Sequence, residues 1–296
     1  MSAFTNNFPY PSQRMPVLAR NVVATSQPLA SQAGLFMLRN GGNAVDAALG
    51  AAITIAVVEP CSNGIGSDAF AIIWDGKKMH GINASGKSPA ALRPEHFTGM
   101  KEMPPYGWGA TTVPGCVSAW VELSDRFGKL PFEKLFESAI RYAGKGFLVS
   151  PYTAESWARA KVDYKDYPDF AATFTKNGNV PKAGEKFVFS DHAKTLCRIG
   201  ATKGRAFYEG EIAEKIAAHA KATGGLMTEK DFAEHKADRV DPISMDYHGV
   251  TLHEIPPNGQ GIAALLMLGI IKHLDIQNYP VDSADSLHIQ IEAMKL

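Results

Sequence analysis

The stretch AVDAALGAAITIAVV, residues 44–58, is apolar on nearly every side of a helix and carries a single charge, Asp46. A helix hydrophobic all round has to be enclosed on every face. Its 15 residues fall short of the roughly 20 that a bilayer needs, so it predicts the core helix of a globular fold. Its start is legible: Asn43 is an N-cap, and Asp46 three residues on completes a capping box. Gly41-Gly42 just before it ends a preceding helix that opens near Pro28, whose Ala33, Phe36 and Met37 share an apolar face. Glu59-Pro60 stops the core helix and hands over to a glycine-rich loop, Asn63-Gly64-Ile65-Gly66-Ser67.

With 296 residues, 45% of them hydrophobic, the chain can bury a sizeable core, which excludes disorder. Thirty basic and thirty acidic side chains balance to zero. That argues against a non-specific nucleic-acid binder and against a polybasic membrane-surface protein. Three cysteines, Cys61, Cys116 and Cys197, make neither a disulfide framework nor a zinc knuckle. The first 20 residues contain three prolines and no signal-like apolar run, so a cytoplasmic location is expected.

Residues 1–20 read as an irregular arm and 21–296 as one domain. Within it, Ala69–Trp74 and 78–83 form a hairpin around Asp75-Gly76, and helices follow over Cys116–Phe127 and 132–145. Residues 150–240 are mainly helical, starting at Ser150-Pro151 and punctuated by Gly224-Gly225. A second hairpin, Ile243–Tyr247 with 250–255, turns at His248-Gly249 and leads through Pro256-Pro257-Asn258-Gly259-Gln260-Gly261 into an apolar helix. Helices in runs, broken by hairpins, give an α+β layered fold. Asp282 and Asp285 look like a capping pair for a last helix with Leu287, Ile291 and Met294 on one face. The sequence stops inside that amphipathic pattern, so an incomplete fold is expected.

Gly81-Ile82-Asn83-Ala84-Ser85-Gly86-Lys87-Ser88 matches the phosphate-binding pattern G-x-x-x-x-G-K-[ST]. That chemistry needs a buried strand before the loop and a helix after it. Here the preceding segment is half of a hairpin, and the following one, with Pro89 and Pro94, leaves no room for the helix. Gly64-Ile65-Gly66-Ser67-Asp68-Ala69 imitates a dinucleotide fingerprint in reversed order, helix first and strand second. No G-x-S-x-G nucleophile elbow and no H-E-x-x-H zinc motif occurs. His248 and His253 read as surface residues of one hairpin and Thr111-Thr112 as structural, so neither a metal nor a cofactor is called for.

The octapeptide Gly41-Gly42-Asn43-Ala44-Val45-Asp46-Ala47-Ala48 closely resembles the gamma-glutamyltransferase (gamma-glutamyltranspeptidase) family. The similarity continues, in the family's order, through the glycine loop 64–68, Val113-Pro114-Gly115, Gly224-Gly225-Leu226-Met227-Thr228, the segment 256–261 and Glu292-Ala293-Met294-Lys295-Leu296. The resemblance implies a four-layer αββα N-terminal-nucleophile (Ntn) hydrolase, made as a precursor that cuts itself into a large and a small chain. The small chain's new N-terminal threonine attacks a gamma-glutamyl or related amide, its own α-amine serving as base. Water or an amino acid then takes the acyl group, the chemistry of glutathione metabolism.

Two departures matter. The match covers only the large-chain region, so the nucleophile is expected beyond Leu296, the partner is the precursor's own small chain, and no residue here is assigned as catalytic. The family's large chain also supplies an arginine that clamps the substrate carboxylate, and the aligned position here is Ser85. A serine cannot replace a bidentate guanidinium fork. Lys87, two residues on, is the candidate for a weaker point-charge contact, which makes Ser85 and Lys87 the candidate substrate-binding residues and suggests an acylase-like branch. The rival readings are a P-loop nucleotide binder and a non-catalytic remnant of the family. A chain of this extent is also expected to expose apolar sheet surface that its partner would cover.

Overall fold

A computed structural model describes residues 17–296. The expected N-terminal arm lies mostly outside the described residues, and residues 17–20 carry no regular structure beyond a bend. The helices and strands in chain order are α1 (Pro28–Arg39), α2 (Ala44–Val58), β1 (Ala69–Trp74), β2 (Met79–Ala84), α3 (Cys116–Phe127), α4 (Glu137–Lys145), β3 (Phe147–Leu148), α5 (Pro151–Asp163) and α6 (Pro168–Phe174). They continue with β4 (Lys186–Phe187), α7 (Ser190–Thr202), α8 (Arg205–Tyr208), α9 (Glu211–Ala222), α10 (Glu229–Ala233), β5 (Asp238–Val240), β6 (Ile243–Tyr247), β7 (Val250–Glu254), α11 (Gly261–Ile271) and α12 (Ala284–Lys295). The result is the expected helix-rich α+β architecture. The described residues divide into two compact units, one of residues 17–22, 70–83 and 239–296, the other of residues 23–69 and 84–238.

The larger unit is built around α2, against which α1, α3 and α4 pack. Ten of its fifteen residues are buried, among them Ile53, Val57 and Val58. Close approach of α1 is made possible by glycine: a side chain on Gly50 would lie 2.7 Å from Met37 Cγ, and one on Gly34 2.8 Å from the Ala47 carbonyl. The capping box forms as read, with Asn43 Oδ1 accepting from the Val45 and Asp46 amides and Asp46 Oδ2 accepting from the Asn43 amide at 2.8 Å. Asp46 reaches further than its own helix. Fully buried, it also accepts from the Lys129 and Leu130 amides, while Asn43 Nδ2 donates to the Phe127 carbonyl. The octapeptide thus ties the α1–α2 junction to the end of α3.

The smaller unit holds a three-stranded sheet in the order β1-β2-β5 and the separate β6–β7 ribbon, on which α11 lies, with α12 against α11. The ribbon pairs antiparallel from Ile243 opposite Glu254 to Tyr247 opposite Val250, and its turn residues His248 and Gly249 both have positive φ, as a two-residue hairpin turn demands. Three local expectations change. Phe36 is exposed although Ala33 and Met37 are buried. Residues 132–136 form a tighter 3₁₀ turn before α4, because Pro131 precedes them and Glu137 opens the regular helix. Ser283, not an aspartate pair, caps α12: its hydroxyl accepts from the Ser286 amide, while Asp282 takes up a left-handed conformation.

Candidate functional site

Four sequence motifs that lie far apart in the chain meet in the larger unit. The chain leaves β2 at Ala84 and runs without regular structure through residues 85–89. Gly86 lies so close to Val113 that an added side chain would overlap the Val113 carbonyl, and Gly115 stands in the same relation to the Ala84 carbonyl. The Val113 amide donates to the Lys87 carbonyl at 3.0 Å. Only glycine permits this backbone-on-backbone contact. The 64–68 loop joins from the other side: the Ser67 carbonyl accepts from the Gly115 and Cys116 amides at the start of α3. The Cys116 thiol is directed at the Ile65 and Gly64 carbonyls, and burial pushes its pKa up to about 12, so it is an inert donor rather than a nucleophile.

The 224–228 motif arrives through α10. Gly225 packs on the Trp108 indole, and Thr228 forms a capping box with Asp231. Asp231 Oδ1 accepts from the Ala90 amide at 2.8 Å, which anchors the far end of the loop that carries Lys87. Just past α10, His235 Nε2 lies 2.9 Å from Ser118 Oγ. The Ser118 hydroxyl donates to the Gly115 carbonyl at 2.7 Å, which assigns the ring proton to Nε2. The Ser118 amide donates to the Tyr208 hydroxyl, which in turn donates to the Pro114 carbonyl. The Tyr208 ring stacks on His235 with centroids 5.3 Å apart. Burial holds His235 below the ordinary imidazole pKa; Asp238 and Asp68 pull it up, and Lys87 pushes it down.

Of the two residues picked from the sequence, Ser85 is half-buried beside Gly86, and Lys87 is exposed. Lys87 makes no ion pair among the described residues. The loop cannot act as a P-loop. Gly81 belongs to the interior of β2, where a side chain would strike Val240, and a turn and a 3₁₀ segment at Pro94–Phe97 stand where a phosphate-binding helix would have to begin. Among the described residues, no group of three or more His, Cys, Asp or Glu side chains is arranged to hold a metal ion.

The family model for gamma-glutamyltranspeptidase matches residues 30–296. The chain belongs to the gamma-glutamyltranspeptidase family. Among curated relatives it is 35% identical over 280 residues to a glutathione hydrolase-like YwrD proenzyme of Bacillus subtilis, covering 93% of this chain and 53% of that protein. It is 34% identical over 275 residues to an oxamate amidohydrolase proenzyme of Klebsiella pneumoniae, covering 90% and 52%. In three dimensions it matches cephalosporin acylase from Bacillus halodurans with a TM-score of 0.88 at 44% identity, over 99% of this chain and 56% of that one. It matches Helicobacter pylori gamma-glutamyltranspeptidase with a TM-score of 0.89 at 27% identity, over 95% and 83%. The chain spans about half the length of the curated relatives it matches.

For this member of the gamma-glutamyltranspeptidase family, three separated sequence motifs, 64–68, 113–115 and 224–228, are parts of one structural junction. Sequence reasoning missed Ser118, Tyr208, Asp231 and His235. The Thr228-x-x-Asp231 spacing carried a readable capping signal. His235 had none, because its partners lie on other elements.

Proposed function

We propose that the chain is the large-chain part of an Ntn amidohydrolase precursor that cleaves gamma-glutamyl or related amide bonds, with Lys87 contacting a carboxylate of the acyl donor. The observation that carries the reading is the convergence of three of the family's motifs, 64–68, 113–115 and 224–228, on the loop that holds Lys87. Gly86 and Gly115 lock that loop through close backbone contacts, and its one cation has no ion-pair partner among the described residues. Ser85, half-buried in the same loop, is the second residue proposed to contact the donor. The nucleophile in this reading is the N-terminal threonine of a second chain, which supplies its own base and needs no histidine triad. Water or an amino acid accepts the acyl group, so the activity is hydrolysis or transfer in the chemistry of glutathione and its relatives.

The partner chain in this reading covers apolar surface of the smaller unit. Phe70, Ile72 and Trp74 occupy alternate positions of β1 and are exposed, as are Leu287, Ile291 and Met294 along α12. The apolar helix α11 buries only Leu265 and Ile271. The proposed location is the cytoplasm, in keeping with three free cysteines; no described helix is long and apolar enough to cross a membrane. Full-length precursor, purified and incubated, should split into two chains with threonine newly at the second N-terminus. It should then release p-nitroaniline from gamma-glutamyl-p-nitroanilide or ammonia from simple amides. Replacing that threonine by alanine should abolish both events. A precursor that stays whole and hydrolyses no amide would overturn the reading.

A further inference from the structure

The larger unit carries a recess that shares no residue with the motifs around Lys87. It is a groove of about 690 Å³ walled by α1 and α4, inside the roughly 300–1,000 Å³ range of small-molecule sites. We propose that this groove binds a small organic phosphate, a phosphate monoester whose ester group is apolar. Arg39 and Arg141 receive the dianion, and Phe36 takes the apolar group. Both helices pack on α2, and Gly34 and Gly50 allow α1 to approach it closely. The walls are therefore held by the core and need no ligand to form.

Gln32, Phe36 and Arg39 stand at i, i+4 and i+7 of α1, and Ser138, Arg141 and Tyr142 at i, i+3 and i+4 of α4, so each wall presents one guanidinium to the groove. Neither arginine has an ion-pair partner among the described residues. The Arg141 guanidinium lies over the Tyr142 ring, 4.6 Å from its centroid, which steadies the plane of its donor fork. The groove's one carboxylate, Glu137, is already engaged by Lys134 at 3.0 Å, so positive charge prevails. Ser138 is only 4% exposed, yet its hydroxyl makes no hydrogen bond among the described residues. A ligand oxygen would relieve the cost of that unmet donor. Arg39 alone would call for nothing, because a cation in the last turn of a helix is favourable by itself. A second unpaired arginine on the facing wall, an unmet buried hydroxyl and an exposed phenyl ring on the same groove do call for a ligand. A carboxylate brings two oxygens and one charge. A phosphate monoester brings three terminal oxygens and nearly two charges at neutral pH, which matches two forks and a hydroxyl. Phe36, exposed although it follows the apolar spacing of α1, is then the surface on which the ester group rests.

The test is calorimetric titration of the full-length protein with phenyl phosphate, and separately with inorganic phosphate and with phenol. Expected are saturable binding of phenyl phosphate, binding of inorganic phosphate weaker by at least about tenfold, and none of phenol. Arg39→Gln and Arg141→Gln should each weaken phenyl phosphate about tenfold. Phe36→Ser should erase the preference for phenyl phosphate and leave inorganic phosphate within about twofold. All three side chains are exposed, so these variants should keep the melting temperature of the unmodified protein. Lys194→Gln removes an equal charge from an exposed position of α7 and should change affinity less than about twofold. Absence of saturable binding, affinity indifferent to both arginine variants, an equal loss in Lys194→Gln, or equal affinity for phenyl and inorganic phosphate overturns the proposal. The groove shares no residue with the Lys87 loop. A protein that cleaves amides without binding phenyl phosphate therefore loses this site alone, and one that binds without cleaving keeps it.

Discussion

At the scale of single residues, Lys87 and His192 make opposite use of position. Lys87 is solvated, so the contact proposed for it with a carboxylate would compete with water and contribute little more than about 1–1.5 kcal/mol. Lys87→Ala should therefore raise KM for a carboxylate-bearing donor about tenfold, leave kcat within about twofold, and leave an uncharged donor unaffected. Unchanged KM would remove Lys87 from the site. His192 lies against Phe189 at the start of α7, its Nε2 buried and without a hydrogen-bond partner among the described residues. Burial lowers its pKa from the ordinary 6.5 to about 4. The folded value lies below the unfolded one, so folding favours the neutral ring. This contribution is whole above about pH 6.5, shrinks as pH falls towards 4 and is gone below. The shift corresponds to about 3 kcal/mol. Denaturant midpoints of the protein and its His192→Leu variant, compared at pH 7 and pH 4.5, should show a smaller acid loss in the variant; equal losses would assign acid sensitivity elsewhere.

Elements were legible where the signal was local. Asn43 and Asp46 sit three residues apart, and their mutual hydrogen bonds define the start of α2 with no help from the rest of the fold. Asp75-Gly76 and His248-Gly249 mark their turns for the same reason, because backbone conformation there is restricted to few residue types. What remained illegible depends on other elements. The tie from Asp46 to the Lys129 and Leu130 amides spans 83 and 84 residues, the Ser118–His235 contact spans 117, and neither leaves a periodic trace. Phe36 follows the apolar spacing of α1 and is still exposed, since periodicity gives a face but not what covers it. In the candidate site the glycines were readable, and so was the cation they present, but the ring behind them was not. The octapeptide is then best understood as a load path between helices. Asp46→Ala would take the acceptor from the part-buried amides of Asn43, Lys129 and Leu130 at once, each costing about 0.5–1.5 kcal/mol, so stability should fall by about 2–4 kcal/mol. Asp46→Asn, which keeps an acceptor oxygen, should lose less. A melting temperature unmoved by Asp46→Ala would contradict this assignment.

At the scale of the whole molecule, burial is unevenly distributed. α2 in the larger unit is enclosed as its composition demands, whereas in the smaller unit β1 turns Phe70, Ile72 and Trp74 outward and α12 does the same with Leu287, Ile291 and Met294. Alternation along a strand normally sends polar side chains to the solvent face; in AFAIIW every residue is apolar, as in a strand covered on both faces. β1 is also an edge of its sheet, so its unpaired backbone groups lie beside that apolar surface. A patch of this character drives association. Produced alone, residues 1–296 should therefore elute as large aggregates and scatter light at micromolar concentration, whereas the same residues inside the proposed two-chain precursor should elute as a defined species. Ile72→Lys with Trp74→Lys should disperse the isolated chain, because two charges on the outward face oppose stacking. Introduced into the precursor, the same pair should impair assembly of the two chains, since the lysines would then be buried without partners. A monodisperse, cooperatively unfolding 296-residue chain would mean that the outward face of β1 needs no cover, and the case for a partner at that strand would fall with it.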